Sequence, residues 1–287
     1  MNVILYVCIF ILLCCVFIKR KQDNRCAICI LTRGYPSIAH YDMLIRRNIS
    51  IQKKLINKSI PVIIIHEGNI TPEQEEYIKG QTPLLNIVFW VIDFDRTREH
   101  VNVDENTKMF NMGYRHMCSF WFVDMWNTEI FKDFDYILRI DEDCEMRTNI
   151  DRIFKQLTSS DKYYAICANM DGDAEYVTRY MNDTTLSFMT QRRINDKKAL
   201  RYKEPGGPMT QMTGFNMKRL RNESILHEYI RHIHNTQMIY INRWGDHSLW
   251  GEVFFYILPN KLKVDKSIQY FHGSHVGYSH EGKINYQ

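Results

Sequence analysis

No internal repeat and no low-complexity block interrupts this 287-residue sequence, so its 45% hydrophobic content has to be buried in an ordinary packed core. Charge of one sign is also missing. Thirty-seven Lys and Arg against 33 Asp and Glu leave a net charge of +4 spread along the chain, which gives no footing for nucleic-acid binding and suits a small anionic substrate as well. A second cysteine pair at finger-like spacing is absent too. Cys26 and Cys29 stand alone in an alternating run, where residues i and i+3 of a strand face opposite sides, and this argues against a zinc site. Beyond the amino-terminal stretch the cysteines are Cys26, Cys29, Cys118, Cys144 and Cys167, an odd set that cannot pair completely within the chain.

One long hydrophobic run is present, from Val3 to Ile18, followed by Lys19-Arg20-Lys21. It is close to the ~17–25 residues of a membrane helix, and neither a charged leader nor an Ala-x-Ala-like cleavage site accompanies it, so it reads as a retained single-pass anchor. The expected division is therefore 1–25 for anchor and charged link and 26–287 for one globular domain. Orientation is contested. The basic cluster favours a cytosolic domain, whereas Asn48-Ile49-Ser50, Asn57-Lys58-Ser59, Asn69-Ile70-Thr71, Asn182-Asp183-Thr184 and Asn222-Glu223-Ser224 are glycosylation acceptors usable only in a lumen.

From Cys26 onward strands and helices alternate. Cys26–Leu31, Pro61–Ile65, Asn86–Ile92 and Tyr163–Ala168 read as strands; 41–57, a segment opening at Thr71-Pro72-Glu73, Tyr114–Phe131 and Ile150–Leu157 read as helices. That order predicts an α/β domain with a mostly parallel sheet flanked by helices. The polar stretch from Asp171 to Gly207 is expected to be a long excursion over the site.

Asp135-Tyr136-Ile137-Leu138-Arg139-Ile140 runs as a strand directly into Asp141-Glu142-Asp143. Carboxylates at i and i+2 in extended backbone project to one side with Cα atoms roughly 6–7 Å apart, within reach of one hard divalent cation such as Mn²⁺ or Mg²⁺. The end of a central strand is also where open α/β sheets bind ligands. Arg139, at even spacing from both aspartates, is alternatively their structural partner.

Four further stretches accompany the acidic strand: Ile28-Cys29-Ile30-Leu31-Thr32-Arg33, Tyr114-Arg115-His116-Met117-Cys118-Ser119-Phe120, Arg243-Trp244-Gly245-Asp246 and Val276-Gly277-Tyr278-Ser279-His280. In order and spacing they resemble the fungal α-1,2-mannosyltransferases of the Kre2/Mnt1 kind, glycosyltransferase family 15. The resemblance implies a GT-A nucleotide-sugar-binding fold and a membrane-anchored, metal-dependent, retaining transferase. Its donor would be GDP-mannose, its acceptor a glycan, glycoprotein or glycolipid hydroxyl, and its compartment the lumen of the ER or Golgi. It further implies that Asp141, Asp143 and His280 hold the metal, and that Arg33, Tyr114 and Arg115 line the donor pocket beside the two aspartates. Asp246, flanked by Trp244 and His247 and in one block with Arg243, would hold an acceptor hydroxyl or the donor sugar, or else cap a helix over 248–257. Asn216 falls where the family has a glutamate proposed as nucleophile. A carboxamide cannot attack the anomeric carbon and later depart, so Asn216 is expected to orient the sugar while the acceptor attacks from the front face. The alternatives are a GT-A transferase with another nucleotide sugar and an inactive transferase-like scaffold that binds glycans.

Overall fold

A computed structural model describes residues 25–194 and 206–273. The proposed anchor and His280 lie outside the described residues, and among the described residues no helix is long and apolar enough to cross a membrane.

The frame is a seven-stranded sheet. Its strands are β1 (Cys26–Leu31), β2 (Val62–His66), β3 (Ile87–Val91), β4 (Tyr136–Ile140), β6 (Ala165–Cys167), β9 (Met212–Asn216) and β10 (Leu262–Val264), in the order β10-β6-β9-β4-β1-β2-β3. Shorter strands complete the set: β5 (Cys144–Met146) pairs with β11 (Tyr270–His272), and β7 (Met170–Gly172) with β8 (Gly206–Pro208). Every pairing in the large sheet is parallel except those of β9, which runs antiparallel between β4 and β6. The expectation of a mostly parallel sheet therefore holds. The sequence reading did not mark β9 as a strand at all.

Both faces of the sheet are covered, which is why its strands read as continuous apolar runs rather than alternating ones. Ala27 and Cys29 of β1 enter one core with Phe215 and Trp250, while Ile28 and Ile30 enter the other with Leu44 and Ile64. Cys29 is thus fully buried on the face opposite Cys26's neighbours, and all five described cysteines are free thiols.

The labelled helices are α1 (Asp42–Lys54), α2 (Pro72–Gln81), α3 (Met112–Phe122), α4 (Ile150–Thr158), α5 (Met181–Gln191), α6 (Ser224–Thr236) and α7 (Asp246–Glu252). The start at Thr71-Pro72 is a capping box in which Thr71 and Gln74 satisfy each other's backbone amides. The single helix expected from Tyr114 to Phe131 is instead three pieces: α3, a 3₁₀ turn at Asp124–Asn127 and a short turn of helix at Glu129–Lys132. Asp124 accounts for the break, since its side chain accepts from Ser119 Oγ (2.9 Å) and its carbonyl from Thr128 Oγ1 (3.1 Å), local bonds that compete with a continuing helix. The excursion after Asp171 is also more ordered than the sequence suggested, because it includes α5.

Two glycines let that excursion dock. A Cβ on Gly207 of β8 would collide with the His247 carbonyl, and one on Gly251 of α7 with the Gly206 carbonyl, so the strand lies flat on the helix. This contact sets the position of Asp246 at the start of α7.

Candidate active site

Beyond the carboxyl ends of β1 and β4 lies a cavity of about 690 Å³. Five carboxylates line it, from Glu67, Asp141, Glu142, Asp143 and Asp246, against the guanidiniums of Arg33 and Arg139. This is an excess of negative charge before any ligand enters.

Arg139 is the organising cation. Fully buried on β4, it donates from Nε to Asp141 Oδ1 (2.9 Å) and from Nη1 to Asp246 Oδ2, while its guanidinium stacks over Trp121 with the ring centroid 4.6 Å away. Burial alone would lower its pKa, but the two carboxylates more than offset that and hold it raised. One guanidinium cannot neutralise the group: burial, with Asp246 and Asp143 nearby, pushes the Asp141 carboxyl up despite its Arg139 partner. The sequence alternative for Arg139, a structural partner of the acids, is what the geometry shows for Asp141.

The acidic segment itself is a tight turn in which the Cys144 amide donates to the Asp141 carbonyl (3.1 Å). Asp141 is further fixed by its own amide, which donates to the Gln211 carbonyl (2.9 Å). Asp143 is held by β11, with Oδ2 3.3 Å from His272 Nε2, and its carbonyl accepts from the Gly273 amide (2.9 Å). Asp143, Cys144 and His272 are a group whose donor atoms lie within 4.8 Å of one another. The carboxylate oxygen and imidazole nitrogen suit Mn²⁺. Burial, with Asp141 and Asp143 beside it, pushes the Cys144 thiol far up; its soft sulfur suits a hard cation poorly, which leaves Asp143 and His272 as the fitting donors. His272 was missed in the sequence, because only the antiparallel register His272↔Cys144 brings it to the turn.

Glu142, between the two aspartates, was not singled out either. It accepts from Thr32 Oγ1 and from Tyr35 Oη, tying the turn to the loop after β1. Burial and the Glu142 charge push the Tyr35 phenol up to about 12, so it remains a donor. Arg33 lines the cavity and stacks over the Tyr35 ring at 5.0 Å. Beneath the turn sits Arg47 of α1, fully buried, with both Nη atoms unpartnered among the described residues; burial lowers it to about 10 against the pull of Glu142, Cys144, Asp141 and Asp143.

The remaining predicted residues separate into those at the cavity and those elsewhere. Tyr114 and Asp246 line it. Arg243 braces Tyr114 from behind, donating to its hydroxyl (2.8 Å) and to Asp173 (3.0 Å) while packed over the Phe110 and Tyr114 rings at 4.3 and 4.6 Å; it adopts a left-handed φ of 59° to do so. Trp244 is fully buried, its indole donating to the Arg179 carbonyl (3.0 Å). Arg115 points into the protein, where it donates to the carbonyls of Tyr240 (2.9 Å) and Thr107 (2.7 Å), so the structure does not bring it to the donor pocket. Asn216 requires the largest correction. In the β4–β9 register it pairs with Tyr136, whereas Met212 pairs with Ile140, so Asn216 lies about 13 Å along the strand from the cavity end. There its side chain accepts from the Arg219 amide (3.0 Å) as a helix cap. Gln211 and Thr210 are the β9-side residues that do line the cavity. Asp246 is not a cap; Gly245 holds that position and Asp246 is spent on Arg139.

Comparison with known proteins matches residues 90–286 to the family described as glycolipid 2-alpha-mannosyltransferase. Glycolipid 2-alpha-mannosyltransferase 1 of Candida albicans is 27% identical over 178 residues, covering 55% of this chain and 39% of the relative, so the chain spans about two fifths of the curated relative it matches. Among solved structures, the mannosyltransferase Ktr4p of S. cerevisiae superposes with a TM-score of 0.69 at 15% identity, covering 88% of this chain and 71% of that one. Core-mannan synthase A (CmsA/Ktr4) of Aspergillus fumigatus, in its Mn/GDP form, gives 0.69 at 12% identity over 88% and 75%. These likenesses show that the fold is the GT-A-like α/β architecture of glycosyltransferases.

Proposed function

Because the chain belongs to the glycolipid 2-alpha-mannosyltransferase family, we propose that it is a Mn²⁺- or Mg²⁺-dependent retaining mannosyltransferase that moves mannose from GDP-mannose to a hydroxyl of a glycan or glycolipid. The observation that carries this reading is that the acidic turn at the end of β4 and the end of β11 present Asp143 and His272, respectively, to a cavity also lined by Arg33. The relative solved in a Mn/GDP form supports the same pairing of metal and nucleotide.

Asp143 and His272 would hold the cation, which when bound supplies Lewis-acid charge to the departing diphosphate. Arg33 contributes a planar guanidinium for phosphate oxygens. Asp246 and Asp141, both held by Arg139, present fixed carboxylate oxygens to sugar hydroxyls, and Tyr114, locked by Arg243, offers an aromatic face. With Asn216 outside the cavity, retention is proposed to arise by front-face attack. The acceptor oxygen bonds to the anomeric carbon on the side the diphosphate leaves, and its proton passes to the leaving phosphate oxygen. Residues 1–25 are proposed to anchor the enzyme in a membrane with the catalytic domain in the lumen.

The test is a donor screen on the full chain with Mn²⁺, scored by mannose transfer to α-mannoside acceptors. Transfer from GDP-mannose above other nucleotide sugars is the expected result; transfer from a different donor, or GDP-mannose binding without product on any acceptor, would reject it.

A further inference from the structure

Both oxygens of the Glu142 carboxylate are used, one by the Thr32 hydroxyl and one by the Tyr35 phenol. Those two partners sit on a rigid support. The Tyr35 carbonyl accepts from Gln74 Nε2 (2.9 Å), its amide donates to the Tyr41 hydroxyl (3.0 Å), and Gln74 belongs to the capping box of α2. Glu142 is also a central residue of the turn that ends in Cys144, so holding its side chain holds the turn from one side, as the Gly273 amide and His272 hold Asp143 from the other.

We infer that Glu142 is a positioning residue: it latches the acidic turn to the loop after β1, so that Asp143 and Arg33, on two segments distant in sequence, face one ligand in fixed register. A carboxylate shared by two hydroxyl donors does this well, since charge-assisted bonds are shorter and stronger than neutral ones. Preorganised groups then reach the ligand without the cost of ordering a loop at the moment of binding. The effect on nucleotide binding rests on the donor reading above; the effect on the turn does not.

The experiment compares full-length wild type with Glu142→Ala, the double variant Thr32→Val with Tyr35→Phe, and the triple variant. Hydrogen exchange over residues 141–146 is measured without metal, and GDP affinity with Mn²⁺. Losing two charge-assisted bonds should speed Cys144 amide exchange and weaken GDP by about tenfold each. The double variant should match Glu142→Ala, and the triple should add nothing further. Glu142→Gln, isosteric and able to bond both hydroxyls though without the charge, should recover part of the protection. Wild-type exchange in Glu142→Ala, or no recovery in Glu142→Gln, overturns the latch; so does a triple variant weaker for GDP than the double by another ~tenfold, which would place Glu142 on the ligand itself. Failure of wild type to bind GDP would reject the transferase reading while the exchange data still decide the latch.

Discussion

The two sides of the cavity differ in how their residues arrive there. On the side of β1 and the acidic turn, Arg33 and Asp143 are delivered by strand ends, and β1 and β4 are adjacent and parallel, so position along the chain translates directly into position in space. On the side of α3 and α7, the motif residues are delivered by helix packing and loop docking, and most of them became supports: Arg115 and Trp244 bond to backbone carbonyls, and Arg243 braces Tyr114. A motif's residue types therefore reveal that a segment belongs to the site, while only packing decides which member of it meets the ligand.

Breaking the first side should cost activity with little cost in stability. Asp143→Ala removes a carboxylate, 10% exposed, that is proposed to hold the metal and that repels Asp141, and turnover should fall about 10²–10³-fold, with the unfolding midpoint close to wild type; comparable losses in both would contradict the contrast. On the second side stability should suffer as well. Asp246→Ala leaves the buried Arg139 short of a partner, and denaturant unfolding should show about 3 kcal/mol of destabilisation, in the range found when one member of a buried pair is removed.

A smaller effect concerns the connection that returns the chain to the acidic turn. Asp265, directly after β10 on the way to β11, accepts from Ser267 Oγ and from Gln156 Nε2 (2.8 Å), and these bonds, led by Ser267, hold its carboxyl at about 2. A depressed carboxylate stabilises the fold fully above its unfolded value near 3.8 and loses that contribution as pH falls toward 2. Asp265→Asn should thus cost about 1–2 kcal/mol at pH 7, with the gap from wild type closing between pH 4 and 2 in unfolding titrations. Smallest of all, Asn216→Ala should cost about 1 kcal/mol as a lost helix cap and leave the KM for donor unchanged; a large loss of turnover at unaltered stability would restore a catalytic role.

Much of this was legible in the sequence. Parallel strands buried on both faces announce themselves as apolar runs, and Asp141, Asp143, Arg33, Tyr114 and Asp246 do line one cavity. What could not be read depends on register and on distant contacts. β9 carries a glycine and two threonine- or asparagine-type residues in five positions, so it shows neither alternation nor a clean apolar run, and its antiparallel pairing sends Asn216 to the far end of the sheet. His272 and Cys144 meet only through the β5–β11 ladder, and Glu142 looked like a spacer until Thr32 and Tyr35 folded onto it. A residue-by-residue transfer of motif roles fails where a one-sided element can rotate a side chain into the core, as α3 does with Arg115.

The central claim is that Asp143 and His272 share one hard cation at the end of β4. Pulsed electron paramagnetic resonance on the Mn²⁺- and GDP-loaded full chain tests it directly, because a directly bound imidazole nitrogen couples to the Mn²⁺ spin. The account predicts that this nitrogen signal is present in wild type and vanishes in His272→Ala; an undiminished signal in that variant would contradict it.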